Sequence, residues 1–253
     1  MYLYLAIQCH RFSSQISALL KSKLKLSNRL QQIDNMVTSG YHHIWDCCCD
    51  HGLLGCALLI RKAANNIHFV DIVPELMSEL EQKLCLFYEN SSWKTHCLNV
   101  TYLPLAKYEG KHLVIIAGIG GDLMIKFIEA IFQQYKTLNI DFLLCPVHHQ
   151  YSLRQKLIAL DFSLKDEVLV EDNQRFYEIL LVTSSSENHC KIHPVGSNIW
   201  QVKSEKQNEV TKKYLKKTLN HYQRIQQGLQ LSSSKDKINS VQHIINAYHD
   251  VSL

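Results

Sequence analysis

His42 to Leu59 reads H-H-I-W-D-C-C-C-D-H-G-L-L-G-C-A-L-L. Its pattern predicts a buried strand from Ile44 to Cys48, a tight turn through Asp50, His51 and Gly52, and then an apolar helix. A strand that runs into a helix through an acid-and-glycine turn is where α/β proteins hold nucleotide-like cofactors. Helix-start amides point outward there, and the carboxyl ends of the strands leave a crevice. Two further strand ends fit the scheme. I-H-F-V-D-I ends near Asp71, about twenty residues past the turn, where an acid can take both ribose hydroxyls. H-L-V-I-I-A-G-I-G-G passes Ala117 and ends in Gly118, Gly120 and Gly121.

Around this core the chain alternates strand and helix. L-K-L-S-N-R-L-Q-Q-I-D-N-M-V puts Leu26, Leu30, Ile33 and Val37 on one face of a helix, Arg29 on another, and Gly40 stops it. Strand one, Ile44–Cys48, is followed by a helix from about Gly52 to Ala64. Strand two is Ile67–Ile72, and Pro74 opens a helix to about Tyr88. Strand three, Thr95–Leu98, is followed by Asn99 and Val100. Strand four, His112–Ala117, leads into a helix from Asp122 to Tyr135. Strand five, Ile140–Cys145, ends at Pro146, before a helix over Tyr151–Leu160. Helices of this length between strands imply parallel crossovers. Glu167–Val170 and Phe176–Thr183 are joined by only Glu171-Asp172-Asn173-Gln174, so they form an antiparallel hairpin ending the sheet. Five parallel strands finished by a hairpin match the methyltransferase variant of the Rossmann-like fold better than a dinucleotide-binding one. The glycine cluster supports this, since Leu123 stands at the third dinucleotide glycine and the motif comes fourth, not first.

Four segments are expected: an appendage at 1–23, the α/β domain at 24–184, a polar linker at 185–198 and a basic helical hairpin at 199–253. In the hairpin Leu215, Tyr222, Ile225 and Leu229 form one seam. Ile238, Val241, Ile245 and Tyr248 form the other, across the turn Ser232-Ser233-Ser234. The chain has 253 residues and a net charge of +4, yet residues 201–237 alone carry a surplus of six positive charges. The remainder is slightly acidic. Such a basic extension suits a polyanionic partner, with Lys212, Lys213, Lys216, Lys217 and Arg224 on its polar faces; a dimerising coiled coil with a solvated lysine face is the competing reading.

The 46% hydrophobic and 20% charged composition is that of an ordinary globular protein, and no apolar run approaches the roughly 20 residues of a spanning helix. No membrane association is expected. The nine cysteines include no C-x-x-C, and consecutive Cys47, Cys48 and Cys49 on a strand point to alternate faces, so no metal is expected. Thiols in a chain without an export signal point to a cytoplasmic location.

A methyl donor of the S-adenosylmethionine type needs its cationic amine and sulfonium countered, which Asp46 and Asp50 suit. Cys48 and Gly52 lie in the same turn, and Asp71 with Ile72 serves the ribose side. Asn99 can meet the adenine edge through its carbonyl, and an Asx turn accounts for it equally well. His51 can orient cofactor or target; a structural histidine beside a helix cap by Asp50 is the alternative. Gly118 lets a flat base approach the backbone near the transferable methyl. His148 and His149 border the target pocket or are ordinary surface residues. Arg154, Arg175, Tyr177 and Glu178 shape the same edge, or pair across the hairpin.

From about Leu24 to Val182 the chain resembles the bacterial tRNA (adenine-N1)-methyltransferases that modify adenine 22. The likeness rests on L-S-x-R-L (Leu26, Ser27, Arg29, Leu30), D-x-G-x-D-H (Asp46, Cys48, Asp50, His51) and I-A-G-x-G-G (Ile116 to Gly121). A proline-then-histidine segment (Pro146, His149) and a terminal Y-E (Tyr177, Glu178) complete it. Cys48 stands where the family has glycine, and Val147 where it has asparagine. The resemblance implies S-adenosylmethionine as cofactor, with Arg29, Asp46, Cys48, Asp50, Gly52, Asp71, Ile72, Asn99, Val100 and Ala117 around it. It implies tRNA as partner of a monomer, with His51, His149 and Gly118 at the target base. A methyltransferase for another RNA or a small molecule, or an inactive protein that binds S-adenosylmethionine or RNA, are the alternatives.

Overall fold

The computed structural model describes residues 25–185, 190–201, 204–230 and 235–251. The expected appendage at 1–23, positions 186–189 near the start of the expected linker and the serine turn Ser232–Ser234 lie outside the described residues. Eight strands form one sheet in the order 3-2-1-4-5-7-6-8. The parallel strands precede an antiparallel ending, which is the Rossmann-like methyltransferase arrangement. The chain divides into two compact units between Ile115 and Ile116, within β4 (His112–Ala117). Among the described residues no helix is long and apolar enough to cross a membrane.

The first unit opens with α1 (Asn28–Met36), whose N-cap Ser27 accepts the Leu30 amide. β1 (Tyr41–Cys47) leads to α2 (Leu53–Ile60), and β2 (Ala64–Asp71) to α3 (Pro74–Phe87), with proline at the first turn of α3. β3 (Trp93–Cys97) follows, then two short 3₁₀ turns over Val100–Tyr102 and Leu105–Lys107. β1, β2 and β3 pair in parallel, with Asp46 beside Phe69 and Asp71 beside Cys97. Arg61 ties α1 to α2: its Nε donates to Asp34 Oδ1 at 2.7 Å, and Nη2 donates to the Asp34 and Val37 carbonyls.

One face of this unit is not apolar. His43 and Trp45 on β1, His68 on β2, His96 on β3 and His112 on β4 lie together, and all but His96 are buried. Ring nitrogens of His43 and His68 are 3.0 Å apart, and those of His68 and His96 2.9 Å. The other nitrogen of His43 faces the Glu109 carbonyl, so a neutral chain has one polarity: each Nε2–H donates to the next acceptor. Trp45 stacks on His68 with centroids 3.8 Å apart and donates its indole N–H to His112. Burial holds His43, His96 and His112 below the usual imidazole value and pushes His68 down to about 2.

The second unit contains α4 (Gly121–Gln134), β5 (Ile140–Cys145), α5 (Gln150–Ala159), β6 (Ser163–Asp172) and β7 (Arg175–Thr183). The hairpin forms, but its strands run longer than expected. Only Asn173 and Gln174 remain to turn, both at positive φ, as a two-residue type I′ connection requires. β7 lies between β5 and β6. The segment read as a polar linker differs from that reading where it is described. It carries β8 (Cys190–Lys191) on β6 and buries Ile192 and Val195, and Ile199 and Trp200 at the start of the next expected segment are buried as well.

The helical hairpin is present as α6 (Glu205–Gln230) and α7 (Lys235–His249). Ile245 and Tyr248 of the expected seam are buried, whereas Ile225 is exposed, and the anchor on α6 is Tyr214 with Val210. These pack with Tyr151, Leu169, Val195, Ile199 and Trp200. Beneath them lies a fully buried charge network. Arg154 donates Nε to Glu178 at 2.6 Å and lies 2.7 Å from Glu167 through Nη2; Glu167 also accepts the Ser197 and Asn198 amides, and Tyr214 donates to Glu178. Burial works against the Arg154 charge, and the two carboxylates more than offset it. The Arg154–Glu178 pairing is therefore the structural one.

Candidate functional site

In the first unit the tips of β1, β2 and β3 are stitched together. The Cys49 amide donates to the Val70 carbonyl at 3.2 Å, and the Leu98 amide to the Asp71 carbonyl at 3.0 Å. Asp71 Oδ2 accepts the Asp50 amide at 3.2 Å, and Oδ1 accepts the Ile72 and Val73 amides. Three of the four lone-pair positions of this carboxylate thus hold it in one orientation, and the fourth is on Oδ2. The turn itself alternates through the left-handed region at Cys48 (φ 57°), Asp50 (φ 51°) and Gly52 (φ 68°). Aspartate tolerates this conformation and glycine favours it, but cysteine is held there at a cost of about 1 kcal/mol. That conformation accounts for the glycine the resemblance expects at Cys48.

Asp46 is 4% exposed, and its Oδ2 accepts the Gly55 amide at 2.9 Å. Burial pushes its carboxyl up to about 7; the Gly55 hydrogen bond works against this, and the like charge of Asp71 adds to it. An acid so placed is only partly ionised near neutral pH, and a cation arriving beside it favours the charged form. Gly55 was not singled out from the sequence. A Cβ there would stand 2.2 Å from Cε1 of Phe69, whose side chain is fully buried, so only glycine lets α2 lie this close to β2. A glycine inside an apolar helix was the available signal.

Asp50 and His51 are exposed, with His51 Nε2 3.6 Å from Asp50. Asp50 does not cap α2; the N-cap is Gly52, without a side-chain bond. Asn99 forms the Asx turn: its carbonyl oxygen accepts from the Thr101 amide and hydroxyl, both at 3.0 Å. The atom expected to meet an adenine amine is thus engaged, which leaves the side-chain NH₂ as the group able to face a ligand. Ile72 is 61% exposed beside Asp71, and Val100 is buried under the turn. Arg29 lies half-buried in the first turn of α1.

In the second unit the glycine turn and the segment after β5 are joined. Gly118 (φ 84°) donates its amide to the Cys145 carbonyl, Val147 to Ile119, and Gly121 to His148. A Cβ on Gly121 would stand 2.7 Å from the His149 carbonyl, so the turn needs glycine there. Ala117 is half-buried at the end of β4. His149 sits at φ 61° as the N-cap of α5, and its Nδ1 lies 2.7 Å from Asp122 Oδ2. Asp122 was missed in the sequence because an acid in a first helical turn is usually only a dipole partner.

On the extension, Lys212 and Lys216 line a shallow groove of about 300 Å³ with Leu215 and Leu219. Lys213 pairs with Glu209, and Lys217 lies over the Phe176 ring. Arg224 lies on the same helix.

The fold is similar to that of several solved structures. M. capricolum TrmK in complex with S-adenosyl-homocysteine matches at TM-score 0.69 and 18% identity, over 88% of this chain and 96% of that one. The B. subtilis M1A22 tRNA methyltransferase TrmK matches at 0.68 and 20%, over 90% and 99%. A Streptococcus agalactiae protein of the NADB-Rossmann superfamily matches at 0.70 and 19%, over 89% and 96%. No curated protein matches the chain. Residues 26–180, more than half of the chain, match the family described as "Methyltransferase domain", and the protein belongs to that family.

Proposed function

We propose that the protein transfers a methyl group from S-adenosylmethionine to N1 of an adenine in tRNA, at position 22, in the cytoplasm and as a monomer. The observation that carries this reading is the cradle of Asp46, Asp71 and Asn99 at three adjacent parallel strand tips. The family supplies the reaction class, and the TrmK structures suggest the base and the RNA.

The residues fit the donor. Asp46 is a buried acid whose strongest charged neighbour is another acid, so a ligand cation there relieves both. Asp71 is fixed by three amides with one acceptor position left for a ribose hydroxyl. Ile72 offers an exposed apolar surface to a flat base, and the Asn99 NH₂ a donor to its edge. When bound, S-adenosylmethionine supplies an electrophilic methyl. Adenine N1 already has its lone pair, so the protein needs alignment and a dry surface more than a strong base. Gly118, His51 and His149 are the residues proposed at the target base. Lys212 and Lys216, with Arg224, are proposed to meet RNA phosphates in a salt-sensitive, sequence-independent way.

Mass analysis of tRNA incubated with protein and S-adenosylmethionine tests the reading. It predicts one added methyl on adenine, mapped to position 22; unmodified tRNA contradicts it.

A further inference from the structure

We infer that Asp122 is a positioning residue that turns the Nε2 of His149 into an acceptor for the exocyclic amine of the target adenine. The inference rests on the adenine-N1 reading above. Asp122 lies in the first turn of α4, where the helix dipole favours its negative charge. An ionised carboxylate only accepts, so the 2.7 Å contact requires His149 to donate from Nδ1. A neutral ring then has its lone pair on Nε2.

Two independent features hold this pair in place. His149 is kept in the left-handed region, at φ 61°, where a non-glycine residue is strained. The backbone on both sides is locked, because Gly121 donates to the His148 carbonyl and Val147 to the Ile119 carbonyl. His148 packs edge-on against His149, with centroids 4.4 Å apart, and fills the space over Gly120. Among the described residues, the titratable groups against His149 are Asp122 on α4 and His148 on its own segment. Strain, a locked loop and a carboxylate–imidazole pair in one place recur at working sites, and the pair is open to a large substrate, with the His149 side chain 50% and the Asp122 side chain 63% exposed.

The chemistry needs such a group. As N1 shares its lone pair with the methyl carbon, the carbon–sulfur bonding pair stays on sulfur. The positive charge leaves sulfur and spreads over N1, C6 and N6 of the adenine. The N6 hydrogens become strong donors at that moment, so an acceptor at N6 binds the transition state more tightly than the substrate. Nε2 of His149 is that acceptor. If the N6 proton passes to it, the imidazolium so formed is countered by Asp122, and the base leaves as the neutral imine. The same contact discriminates adenine from guanine, whose C6 oxygen cannot donate.

The test compares Asp122→Asn, Asp122→Glu and His149→Gln, in the full chain, by single-turnover tRNA methylation, tRNA binding and ¹⁵N spectra of the imidazoles. Asp122→Asn is expected to slow methyl transfer about tenfold to a hundredfold. It leaves tRNA affinity unchanged, and Asp122→Glu recovers most of the rate. The His149 spectrum shows the Nδ1–H form in the native protein and a mixture of tautomers in Asp122→Asn. A native rate in Asp122→Asn, a parallel loss of tRNA binding, or no recovery by Asp122→Glu overturns the inference. A native protein that methylates no adenine overturns instead the reading on which it rests.

Discussion

Asp46 couples cofactor binding to protons, and the size of the effect follows from its position. Burial holds its carboxyl at about 7, so it is roughly one-tenth ionised at pH 6 and nine-tenths at pH 8. If the ionised form receives the donor's positive charge, affinity rises about tenfold between those two values. Near pH 7 binding also expels about half a proton, which calorimetry in buffers of different ionisation enthalpy reads directly. The stability of the empty protein runs the other way. The folded state keeps this proton after the unfolded chain, at about 3.8, has lost it, so stability falls as pH rises from about 4 to 7. The difference of about three units is at most about 4 kcal/mol. Asp46→Asn, which keeps an acceptor for the Gly55 amide, should therefore melt higher than the native protein at pH 8 while losing both affinity and its pH dependence. Native binding that is flat between pH 6 and pH 8, or an Asp46→Asn protein no more stable at pH 8, would refute the reasoning.

Three further outcomes are expected. Gly55→Ala should cost about 1–3 kcal/mol in urea unfolding, since its Cβ meets the immobile Phe69 ring at 2.2 Å, and a Phe69→Leu change should recover part of the loss in a double-mutant cycle. Cys48→Gly should stabilise the chain by about 1 kcal/mol by relieving the residue at φ 57°; a net loss of stability would show that the cysteine packs to advantage. The histidine layer should make the first unit acid-labile. His68 titrates at about 2 when folded and about 6.5 when unfolded, so its share of stability is intact above pH 6.5. Below that it falls by about 1.4 kcal/mol per pH unit; unfolding curves that do not move between pH 7 and pH 5 would contradict this.

The alternation of strands and helices was legible because apolar runs are punctuated by Gly52, Pro74, Gly118 and Pro146. β4 and β5 match the expected bounds for that reason. β1 begins three residues earlier than expected, at Tyr41, because two histidines look like a loop. Their burial is made tolerable by partners on β2, β3 and β4, which periodicity within one segment cannot reveal. The same holds for Asp122 and His149, 27 positions apart and joined only by the fold. The placement of Asp46 and Asp71 at neighbouring strand tips was legible because Asp46 comes one residue before the end of β1 and Asp71 ends β2. The role of Asn99 was not, because Thr101 competes locally for its carbonyl. On α6 the hydrophobic spacing rightly placed Leu215 and Tyr222 against the core, but Ile225 is exposed, and buried Glu178 selects Tyr214, whose hydroxyl it can receive.

The central claim is that the three strand tips hold a methyl donor, and titration calorimetry with S-adenosylhomocysteine tests it most directly. The account predicts saturable heat with an affinity between about 1 μM and 1 mM. It also predicts a loss of about tenfold or more in Asp71→Asn, which keeps one acceptor oxygen and removes the charge. No heat at millimolar ligand, or an Asp71→Asn protein that binds as tightly as the native one, would contradict it.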